Sequence, residues 1–125
     1  MAEKIIQLKK KGNGGGSQKN LLFAFYGTSD PMWYNDELFS ISGNTLTALQ
    51  DIDATLWVCA TGYGNTSQYG TAIITYDPNH NVSTRWNYPQ TCKKEHWDVH
   101  ITAGNSVTFT STPYAQGAGF GYLTE

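Results

Sequence analysis

From Leu21 onward the apolar side chains recur at every second position, and no segment carries a sustained 3.6-residue period. A chain patterned this way has to bury alternate side chains of extended segments, so it is confined to sheet architectures. Strands are expected at Leu21–Tyr26, Leu38–Ile41, Thr45–Leu49, Ala54–Thr61, Thr71–Tyr76, Val82–Trp86, Trp97–Thr102, Ser106–Thr112 and Ala118–Leu123. Turn residues separate them. Gly27-Thr28-Ser29-Asp30-Pro31 closes the first strand, and Asp77-Pro78-Asn79 ends the fifth. Ser42-Gly43-Asn44 and Ala103-Gly104-Asn105 each read as hairpin connections. About nine short strands without a helix predict an all-β, antiparallel sandwich or barrel.

The first 20 residues differ in kind. Lys4, Lys9, Lys10, Lys11 and Lys19 lie there, and Gly12-Asn13-Gly14-Gly15-Gly16-Ser17 has the composition of a flexible linker. The expected organisation is a basic leader and linker at 1–20 and a globular head at 21–125. The head holds Arg85, Lys93 and Lys94 against nine acids, so it is acidic while the leader is basic. A chain of 125 residues suits one domain. Charged residues are 14% of the whole and aromatics another 14%, the reverse of a disordered composition. A net charge of −2 argues against a nucleic-acid binder, and two cysteines against a disulfide scaffold. No apolar run reaches membrane-spanning length, and the N-terminus has no apolar core of a secretion signal.

Two strands are apolar on both faces. Leu56 and Val58 oppose Trp57 and Cys59, and Ile74 and Tyr76 oppose Ile73. A two-layer sandwich covers each sheet once, so the second face calls for a loop or a neighbouring subunit. The subunit is the more economical cover in a chain without helices.

Local motifs for catalysis or metal binding are absent from the pattern. His96 and His100 would share an ion on a helix, but on a strand they stand roughly 13 Å apart at about 3.3 Å per residue. Gly117-Ala118-Gly119-Phe120-Gly121 lacks the strand-then-helix setting of a dinucleotide site. Asp30, Asp36 and Glu37 are near in sequence, as a glycosidase pair would need to be in space, with nothing to make them converge. No catalytic group, metal or cofactor is therefore expected. The remaining signal is aromatic. Trp33, Tyr34, Tyr63, Tyr69, Trp86 and Tyr88 fall in or beside expected loops, with Asp36 and Asn65 among their polar companions. Rings that stack on sugar C–H groups, beside amides and carboxylates that bond hydroxyls, suit a saccharide.

The order of short motifs adds a resemblance. A Leu-Leu-Phe-Ala-Phe-Tyr strand precedes Ser-Gly-Asn-Thr-Leu-Thr. Trp-Val-Cys-Ala-Thr follows, then Val-His-Ile-Thr-Ala-Gly-Asn-Ser-Val-Thr-Phe, and finally Gly-Phe-Gly-Tyr-Leu. Over residues 21–125 this resembles the jelly-roll head of the tumour necrosis factor and complement globular-head superfamily, and also fibre or baseplate tip proteins of tailed bacteriophages. The resemblance implies a TNF-like jelly roll and a homotrimer, with Trp57, Tyr76, Phe120 and Tyr122 in the intersubunit core. It also implies a non-enzymatic virion part assembled in the host cytoplasm, with other virion proteins held through residues 1–20 and a host cell-surface glycan as ligand. Neither nucleic acid nor membrane insertion is expected.

Overall fold

The computed structural model describes residues 20–61, 69–77, 79–87, 93–111 and 117–124. Residues 1–19 of the leader and linker, and Tyr63, Asn65, Tyr88 and Cys92, lie outside the described residues. Those described form ten strands: β1 (Leu21–Tyr26), β2 (Pro31–Tyr34), β3 (Phe39–Ser42), β4 (Thr45–Ala48), β5 (Ile52–Ala60), β6 (Tyr69–Tyr76), β7 (His80–Asn87), β8 (Lys93–Ile101), β9 (Ser106–Ser111) and β10 (Ala118–Leu123). They pair into two five-stranded sheets, β2-β1-β10-β5-β8 and β3-β4-β9-β6-β7. Every pairing between these strands is antiparallel. No helix among the described residues is long and apolar enough to cross a membrane.

The alternation seen in the sequence becomes the alternation of burial. In β5, Ile52, Ala54, Leu56, Val58 and Ala60 turn inward, while Thr55, Trp57 and Cys59 are half-buried on the outer side. In β7, Val82, Thr84 and Trp86 turn inward between exposed neighbours. Phenylalanines hold the two layers together. Phe23 meets Phe39 edge-on at 5.7 Å between ring centroids, and Phe25 stacks on Phe109 at 5.3 Å. A bulge in β1 inserts Leu22 as an extra residue, so Leu22 and Phe23 are both fully buried although adjacent.

Two expectations need correction. The strand count is ten, because β2 lies inside what reads as turn and loop. Pro31 opens it as the first residue of an edge strand, where its missing N–H costs nothing. Gly27, at φ 74°, lets the chain reverse from β1 into it. The Ser42–Thr45 connection is the expected hairpin, with Gly43 at φ 62°. Ala103-Gly104-Asn105 is not one. The turn forms, with Asn105 N–H bonded to the Thr102 carbonyl at 3.0 Å, but β8 belongs to the first sheet and β9 to the second. The same turn chemistry serves a crossing between layers, because which strand is available to pair is decided far away in the chain.

Candidate functional site

The glycine-rich last strand determines the site. In β10, Gly119 and Gly121 point inward, with Gly117 just before the strand, and Phe120 and Tyr122 point outward. The inward positions have no room for more. A Cβ on Gly121 would lie 2.5 Å from Phe23 Cζ, and one on Gly119 would lie 2.9 Å from Phe109 Cδ1. The core beneath β10 is thus filled by rings from β1 and β9. The two rings of β10, Phe120 and Tyr122, are left on the outside, and Leu123 alone among its large side chains turns into the core.

Register then lines these rings up with others. Residues directly opposite in an antiparallel sheet share a face. Trp33 of β2 pairs with Ala24 of β1, Ala24 with Phe120, Phe120 with Trp57, and Trp57 with His96 of β8. One aromatic row therefore crosses the whole sheet on its outer side. His96 stacks on Trp57 at 4.2 Å with an interplanar angle of 20°. Trp57, Cys59, Phe120 and Tyr122 line a groove of about 420 Å³ on that face. None of the four is fully covered. Cys59 is half-buried on the outer side.

The outer face of the second sheet is of another kind. Its cross-strand rows read Ser40–Thr47–Ser106, Asn81–Thr75–Thr108 and Ser83–Ile73–Thr110. Hydroxyl and amide groups dominate, and Thr75 donates to Asn81 Oδ1 at 2.7 Å. The second sheet's outer face is dressed for water, and the aromatic stretch of the first sheet's is not.

The expected intersubunit set divides accordingly. Trp57, Phe120 and Tyr122 come together. Tyr76 does not join them: it lies in the second sheet on the core-facing side, packed against buried residues and 5.6 Å from the His80 ring. Burial, with the Asp77 charge adding to it, raises the Tyr76 pKa.

The expected ligand set is not assembled among the described residues. Trp86 is corrected outright: it lies within β7 and is 2% exposed, one of the largest side chains of the core. Trp33 is exposed, but in the aromatic row of the first sheet. Tyr34 leans on the core, and Asp36 is exposed in the turn after β2. The Tyr69 backbone opens β6, and its side chain, like Tyr63, Asn65 and Tyr88, lies outside the described residues. Asn35 is buried, and its Oδ1 accepts the Glu37 N–H at 2.9 Å.

A polar cluster gathers around the turn at 102–105. Asp51 Oδ1 accepts the Ala103 N–H at 2.9 Å, and Asp77 Oδ1 accepts the Thr102 N–H at 3.2 Å and Asn105 Nδ2 at 3.1 Å. His100 Nδ1 lies 2.8 Å from Asp53 Oδ1. The hydrogen bond to Asp53 is the largest cause raising the His100 pKa above 6.5. His96 and His100 thus have separate partners. The partners of this cluster lie 25 to 52 residues apart, and no local signal could have found them.

No protein-family model matches the chain, and no curated protein sequence matches it. Solved structures do match in shape. Murine APRIL at pH 5.0 superposes with a TM-score of 0.50 at 10% identity, covering 83% of this chain and 92% of that one. Eiger TNF from S. frugiperda gives 0.50 at 7% identity over 85% and 94%. The PRD1 vertex protein P5 gives 0.51 at 6% identity over 84% and 96%. The fold is a TNF-like jelly roll. At such identities the likeness concerns the jelly roll alone. Its groove and aromatic row are features of this chain's own residues.

Proposed function

We propose that this jelly roll is a non-enzymatic head domain of a viral appendage, a phage fibre or baseplate tip, that works as a homotrimer through the outer face of its first sheet. The observation that carries the proposal is the inverted last strand. Gly119 and Gly121 take two of the inward positions of β10, while Phe120 and Tyr122 stand outside beside Trp57. A face built this way leaves apolar area in water unless another surface covers it, at about 25 cal/mol per Å². A second copy is the economical cover, and the hydroxyl-rich face of the other sheet is then the one left to solvent. A vertex protein among the structures of like fold accords with a structural head. Residues 1–20 would hold the head to its neighbours in the particle.

Recognition of a host cell-surface saccharide is the second part of the proposal. It falls to Asp36, Tyr63, Asn65, Tyr69 and Tyr88, since Trp86 is committed to the core and Trp33 to the outer face of the first sheet. Three modest sites on one rigid assembly would gain avidity.

Sedimentation equilibrium tests the assembly. The expected mass is about three times 13.8 kDa. The Phe120→Asp variant should sediment as a monomer with its strand circular dichroism unchanged. A wild-type monomer sinks the proposal. Adhesion to host cells and glycan arrays, with Tyr63→Ala and Tyr88→Ala as controls, test the saccharide part. A well-folded trimer that adheres to nothing would leave a purely structural cap.

A further inference from the structure

The outer face of the first sheet changes character along its strands. Beyond Trp57 and Phe120, the row Tyr122–Thr55–Asp98 leads to a second groove of about 410 Å³, lined by Asp53, Asp98, Val99, His100 and Thr124. The Thr55 hydroxyl donates to Asp98 Oδ1 at 2.6 Å, and His100 Nδ1 meets Asp53 Oδ1 at 2.8 Å. Among the residues lining this groove, His100 alone can acquire positive charge. Lys94, the outward lysine of the same strand, stands six residues away, roughly 20 Å along the sheet.

The charged groups around His100 come from every neighbouring segment. Asp53 faces it from β5, Asp51 from the segment before β5, and Asp77 from the turn between β6 and β7. Asp98 lies two residues back on β8, and Thr124, whose N–H bonds the Asp53 carbonyl at 3.0 Å, closes the end of β10. The surroundings are carboxylates and a hydroxyl.

We propose that association through this face takes up protons at His100, so that copies hold together more tightly as pH falls from about 8 to about 6. This rests on the self-association reading above. Bringing copies together gathers the Asp53 and Asp98 carboxylates of each, and like charges at a contact weaken it more as water is excluded. An imidazolium at His100 offsets one of the two carboxylates in every copy. The hydrogen-bonded Asp53 first, with the charges of Asp51 and Asp77 adding to it, favours the imidazolium and raises the pKa of His100.

The test is sedimentation equilibrium of the full chain at pH 8 and pH 6, at fixed low ionic strength. Wild type should associate several-fold more tightly at pH 6. His100→Gln should lose that change, and Asp53→Asn should move its midpoint to lower pH. His100 and Asp53 are both largely exposed, so these variants keep the fold. Association that does not depend on pH, that weakens in acid, or that keeps its full pH response in His100→Gln overturns the proposal while leaving the oligomer intact. A wild-type chain that is monomeric at both pH values overturns the oligomer itself, and this proposal with it.

Discussion

Side chains of one chemical type divide here by what lies opposite them. Trp86 and Trp57 both sit in strands, but Trp86 is 2% exposed while Trp57 lines an open groove. Trp86→Ala should therefore lower stability by about 3–5 kcal/mol, the usual cost of emptying a buried aromatic site. Urea unfolding reads that loss, and saccharide binding by the folded fraction should stay as it was. Gly121→Ala should also destabilise, by about 1–3 kcal/mol, because the added methyl group meets the Phe23 ring. A Phe23→Leu change in the same chain should restore part of the loss. At His100 the folded pKa is raised, so the Asp53 pair stabilises the fold fully below about pH 6.5, and this fades as pH rises through the folded value. The His100 side chain is 53% exposed, which keeps the contribution small. A proton NMR titration of His100 shows the coupling directly: its midpoint should fall in Asp53→Asn.

Strands are legible where one face is buried and the other is wet. β7 and β9 alternate as their sequences do, and the expected and observed spans overlap over most of their length. β2 escaped because an edge strand of four residues, with both its middle residues exposed, has no alternation to show. It exists because Phe23 and Ala24 of β1 offer backbone partners to Tyr34 and Trp33. The turn at 102–105 is legible as a turn, but its role is not. Its geometry is held by Ala48, Asp51 and Asp77, all distant in sequence. The β3–β4 hairpin depends on a residue able to take φ 62°, so Gly43→Val should cost about 1 kcal/mol or more, measured by thermal unfolding. Gly117-Ala118-Gly119-Phe120-Gly121-Tyr122 alternates small and large, but only packing tells which set faces in.

At the scale of the molecule the two outer faces predict different consequences of substitution. A charge placed at Thr108 or Thr75 should leave the solution mass unchanged, whereas one at Trp57 should break the assembly as at Phe120; light scattering after size exclusion separates the cases. The sequence by itself determined the class of fold, the approximate strands, and the surplus of apolar surface on Trp57. These follow from periodicity and composition, which act locally. The tertiary structure alone decided that Trp86 is core, that Tyr76 stands apart from Trp57, and that Trp33 joins Phe120 across Ala24. It likewise decided that three aspartates secure the turn region around His100. Those outcomes depend on register and on which layer a strand enters. Both are set by contacts between residues far apart in the chain, and the energy of such a contact leaves no trace in the neighbours of either partner.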